Sequence, residues 1–70
     1  MNVTAKIKLI SKTPSTEGQT NLEFGADYQG DRNKAWAKYT PILSLKMTVL
    51  DVVAEQFEPG LPLTLTFSEE

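Results

Sequence analysis

In "VTAKIKL", residues 3–9, apolar and polar side chains alternate without a break. The same period of two returns in "TNLEFGADY" (20–28), "PILSLKMTVL" (41–50) and "LPLTLTF" (61–67). A β-strand points successive side chains to opposite faces, so this pattern describes half-buried strands. Val3, Ala5, Ile7 and Leu9 share one face, and Lys6 and Lys8 take the other. Leu22, Phe24, Ala26 and Tyr28 line up likewise, as do Leu43, Leu45, Met47 and Val49, and then Leu61, Leu63, Leu65 and Phe67. Gly25 inside its run marks a bulge or a bend.

The period changes once. In "LDVVAEQF", Leu50, Val53, Ala54 and Phe57 fall at i, i+3, i+4 and i+7, the spacing of a helix face. Asp51 is the expected N-cap of a helix of about two turns, and Pro59 and Gly60 end it. "SKTPSTEGQ" (11–19) and "QGDRN" (29–33) read as loop and turn. The expected fold is mainly β (small α+β). It has four to five short antiparallel strands in a curved sheet or partly closed barrel, with one short helix before the last strand. Residues 1–70 form a single β-rich domain with a core of Leu9, Leu22, Phe24, Leu45, Met47, Val53, Phe57, Leu65 and Phe67.

Composition narrows the chemistry. The 70 residues include no cysteine and no histidine. Disulfides, Cys-based metal sites and histidine general bases are therefore excluded. Ser11, Ser15 and Ser44 have no histidine to activate them. Glu23, Asp27 and Asp31 do not have the spacing of a calcium loop, and no glycine-rich phosphate loop is present. The expectation is a protein that is not an enzyme, with no cofactor and no metal. No stretch approaches the roughly 20 apolar residues of a membrane span, and "MNVTAKIKLI" reads as a strand rather than a signal peptide. A small domain without staples also leaves self-association as a source of stability. Ile10, Ile42 and Leu50, out of step with the alternation, are the expected surface of a homo-oligomer contact.

"NKAWAKYTP", residues 33–41, holds the single tryptophan. If this stretch is extended, Lys34, Trp36 and Lys38 share a face and Ala35, Ala37 and Tyr39 share the other. Aromatic rings stack on bases and lysines reach phosphates, so such a face suits single-stranded nucleic acid or a nucleotide. Arg32 would add a guanidinium fork. Two arrangements compete with this one. Trp36 is a core anchor with its lysines turned to solvent, or a short helix over 31–38 breaks the shared face.

Several of these residues carry a resemblance. Asn33, Lys38, Tyr39, Thr40 and Pro41, then Ala54, Phe57, Pro59, Gly60 and Phe67, form a KYTP … A-x-x-F-x-P-G … F pattern. It resembles that of small proteins encoded by tailed bacteriophages, and "VTAKIKL" looks like their usual start. Leu61 and Pro62 depart from the basic or aromatic residue those proteins often carry after the glycine. The resemblance implies a viral origin, action in the host-cell cytoplasm and a non-enzymatic role. That role is nucleic-acid binding, counter-defence capture of a host protein or signalling nucleotide, or virion assembly.

Overall fold

A computed structural model describes residues 3–28 and 33–69. They form four strands, β1 (Val3–Pro14), β2 (Gln19–Ala26), β3 (Ser44–Leu50) and β4 (Pro62–Phe67), and one helix, α1 (Asp51–Ala54). The strands make one curved, unclosed antiparallel sheet in the order β3-β2-β1-β4. The alternating segments thus become strands, the fold is mainly β, and the short helix precedes the last strand. Residues 33–36 form a turn, so the strand count is four.

β1 and β2 are a hairpin that turns at residues 15–18, where Gly18 adopts a φ of 78°, a conformation glycine reaches without a Cβ penalty. The segment expected as a loop from residue 11 is strand as far as Pro14, because β2 supplies a ladder partner out to the pair Pro14↔Thr20. The register slips between Leu9 and Ser11, which leaves Ile10 as the extra residue of a bulge. The slip has two consequences. It turns Lys12, opposite Leu22, onto the face that carries Leu9. It also lays the Ile10 side chain over Gly25, where a Cβ would lie 2.6 Å from Ile10 Cδ1. Gly25 is therefore the place where one side chain covers its neighbour's backbone.

α1 is one turn, not two, and begins one residue earlier than the capping expectation. β3 keeps Leu50 in the ladder opposite Gln19, so Leu50 takes the N-cap position without a side-chain cap. Asp51 lies in the first turn, where its carboxylate accepts a 2.6 Å hydrogen bond from Thr20 Oγ1. The chain leaves α1 in tight turns, with Gln56 N donating to Val53 O and Phe57 N to Ala54 O. Lys12 Nζ donates to Ala54 O at 2.9 Å and to Phe57 O at 3.0 Å. The bulge therefore delivers a cation to the carbonyl end of this turn, where the peptide dipoles favour it. The chain then crosses beneath β2 and β1 and is pinned where Gly60 N donates to Leu9 O at 3.1 Å.

This crossing covers one face of the sheet. Ala5, Ile7, Leu9, Leu22, Phe24 and Ala54 are buried, and Trp36, Leu43, Leu45, Val49, Phe57, Leu63 and Leu65 pack around them. Phe57 meets Phe24 edge to face, with centroids 5.8 Å apart. Three expected core members lie outside this cluster. Met47 and Phe67 belong to the two edge strands, and both are exposed. Val53 is half-buried on the rim of α1. Tyr28 lies past the end of β2 and is 61% exposed, so the alternation stops at Ala26. Ile10, Ile42 and Leu50 are exposed as expected.

Candidate functional site

The connection from β2 to β3 is organised by Asn33, which is 4% exposed. β2 ends at Ala26, so the backbone of Lys6 extends past the ladder. The Asn33 amide takes the place of the missing strand. Its Oδ1 accepts from Lys6 N at 2.7 Å, and its Nδ2 donates to Lys6 O and to Asp27 O, each at 2.9 Å. Oδ1 also accepts from Trp36 Nε1 at 2.9 Å. Two acceptor and two donor interactions use the full capacity of the amide. The Asn33 carbonyl meanwhile receives Trp36 N at 3.3 Å and Ala37 N at 3.0 Å, which winds residues 33–37 into a helical turn.

This turn separates the side chains that an extended strand would have aligned. Trp36 points inward, half-buried against the core, with its indole N–H held by Asn33. Lys34 and Lys38, four residues apart, stay exposed on one side of the turn. Of the alternatives, the helical turn and the inward tryptophan are present, and the shared Lys34–Trp36–Lys38 face is not. Arg32 and Asp31 lie outside the described residues.

Lys34 and Lys38 border a shallow concavity with Tyr28, Tyr39, Thr40 and Pro41, floored by Asp27, Asn33 and Ala37. Tyr39 is 77% exposed, where the extended reading turned it inward, and the Lys38 ammonium lies 5.4 Å from its ring centroid. Two exposed tyrosine rings and two ammonium groups thus converge on one hollow. Asp27, also in the lining, disfavours a phosphate placed deep in the hollow. The turn falls inside the short helix over 31–38 that the sequence left open. Nothing in the sequence linked Asn33 to Lys6.

A second hollow, on the uncovered face of the sheet, is lined by Ser11, Thr13, Asn21, Glu23, Lys46 and Thr48, among others. Its polar groups serve one another. Glu23 and Lys46 are direct cross-strand partners, and Thr48 Oγ1 donates to Asn21 Oδ1 at 2.6 Å. Among the described residues no group of three or more acidic side chains is placed to hold a metal ion, and no helix is long and apolar enough to cross a membrane. The chain matches no protein family, no curated protein and no solved structure.

Proposed function

We propose that the protein is a non-enzymatic phage accessory protein that binds single-stranded nucleic acid or a nucleotide in the hollow between Tyr28 and Tyr39. The observation that supports this reading is the convergence of two exposed tyrosines with Lys34 and Lys38. A base stacks on a tyrosine ring, and its phosphate meets the lysines at the rim. In this reading Trp36 supports the floor through Asn33 instead of stacking, and Lys34 and Lys38 keep the phosphate role.

The test is fluorescence anisotropy with labelled short single strands of thymidine or adenosine. Tyr39→Ala should weaken binding by about 1–3 kcal/mol, the worth of one stacked base, without changing the melting temperature. Two phosphate contacts should give a log–log salt slope of about −1.4. Absence of binding at low salt, with the protein folded, would remove the proposal. A second reading, capture of a host protein in counter-defence, is favoured by Ile42, 85% exposed and three residues from Tyr39. An apolar contact of that kind would bring little salt dependence.

A further inference from the structure

We infer that the β4 edge of the sheet is a docking surface for a second copy of this chain, which pairs with it antiparallel to give one continuous eight-stranded sheet. The inference does not depend on the binding hollow, which lies on the β2–β3 connection.

The two edges of the sheet differ. β3 carries Lys46 at its middle, and an edge lysine discourages pairing with another strand. β4 reads "PLTLTF", with no charge from Leu61 to Ser68. Its single protective residue, Pro62, sits at the start of the strand and leaves residues 63–67 able to pair. β4 has β1 on one side only, so its other row of backbone groups faces outward. On the covered face of this edge the crossing chain leaves Phe67 48% and Val3 39% exposed, and the two are direct partners in the ladder.

The size of the surface points the same way. The chain exposes 5242 Å², whereas a folded monomer of 7.8 kDa is expected to expose roughly 4400 Å². The excess is surface left for a partner to cover, and the β4 edge contributes part of it. The molecule is also a slab, 40 × 29 × 16 Å, with a radius of gyration of 13.2 Å, against about 11 Å for a compact chain of this length.

Symmetry limits the register. A two-fold axis normal to the sheet keeps both covered faces on one side only if residues of like parity oppose each other. With Leu65 on the axis, Leu63 opposes the second copy's Phe67 and Thr64 opposes its Thr66. Phe67 then gains an aliphatic cross-strand neighbour. Glu69 opposes the uncharged Leu61, so this register sets no like charges directly against each other.

Sedimentation equilibrium tests the inference. The wild-type chain should sediment at twice 7.8 kDa. Thr64→Lys with Thr66→Lys sets lysine against lysine across the axis, which should halve that mass; within each copy it also replaces the Thr64 hydroxyl that accepts from Lys6 Nζ at 3.0 Å, so the fold must be followed alongside. Thr64→Glu with Thr66→Lys sets opposite charges across the same axis and should restore it. Circular dichroism follows the fold of each variant. If the lysine pair unfolds the chain, amide exchange in residues 63–67 of the wild type decides, since protection should rise with protein concentration. Wild-type protein that sediments as a single copy up to millimolar concentration would overturn the inference. So would a folded lysine-pair variant that stays at double mass, or a folded Glu/Lys variant that stays at single mass.

Discussion

Replacing Asn33 by alanine should do more damage than any change of a single apolar side chain at the rim of the core. The substitution deletes four hydrogen bonds at once. Lys6 O keeps a partner, because Asp27 N also donates to it. Lys6 N, Asp27 O and Trp36 Nε1 lose the bonds that Asn33 supplied. A buried polar group left unsatisfied costs about 1–3 kcal/mol, and water will reach the half-buried ones, so about 3–5 kcal/mol is expected for the set. A chain of 70 residues has roughly 4–10 kcal/mol of stability to lose. At about 4–8 °C per kcal/mol, the melting temperature should fall by about 12–40 °C. Differential scanning calorimetry measures this directly. Tryptophan emission supplies a second reading, because release of the 33–37 turn exposes Trp36 and shifts its emission to the red. Asn33→Asp should be at least as harmful, since it turns the amide donor into an acceptor facing the Lys6 and Asp27 carbonyls. An alanine variant that melts within a few degrees of wild type, with unshifted emission, would show that the connection is held by packing and not by this amide.

Two further outcomes follow from the covered face. Phe57→Ala should cost about 3 kcal/mol, the lower end for phenylalanine truncation because the ring is only half-buried; denaturant unfolding measures it, and a loss below about 1 kcal/mol would mean that the crossing chain contributes little to the core. Gly25→Ala should destabilise by about 1 kcal/mol by displacing Ile10, and addition of Ile10→Ala should remove most of that specific penalty, which a double-mutant cycle detects as coupling.

The strands were legible because half-buried strands advertise themselves by alternation, and the covered face follows directly from Ala5, Ile7, Leu9, Leu22 and Phe24. What escaped was decided by partners distant in sequence. The bulge at Ile10 interrupts the alternation of β1, so residues 11–14 look like loop until β2 lies beside them. Leu50 belongs to the helix by periodicity and to β3 by its pairing with Gln19, and the ladder prevails. Met47 and Phe67 alternate correctly yet remain exposed, because periodicity identifies a face and not how far its cover extends. In the candidate site, Lys34 and Lys38 were identified by their charge beside an aromatic residue. Tyr28 was assigned inward by extending the period of two past the end of β2, and Tyr39 by reading residues 33–41 as extended. Asn33 escaped as a structural residue because its main partner, Lys6, lies 27 residues away.

The pairing of β1 with β4 joins residues 54 to 64 positions apart, from Lys8↔Pro62 to Val3↔Phe67. The hairpin of β1 and β2 closes across only four residues, so its loop entropy is small and it can form within microseconds. β4 must instead wait for a long closure, and its docking reads as a late event in assembly. The same asymmetry acts in the finished molecule. In a single copy β4 is held on one side only and packs through half-buried leucines, so before a second copy pairs with it β4 can detach as a cooperative unit while the other three strands persist. Each such opening bares the outer margin of β1 from Val3 to Lys8 and makes this strand boundary the point where proteases and competing strands first gain entry.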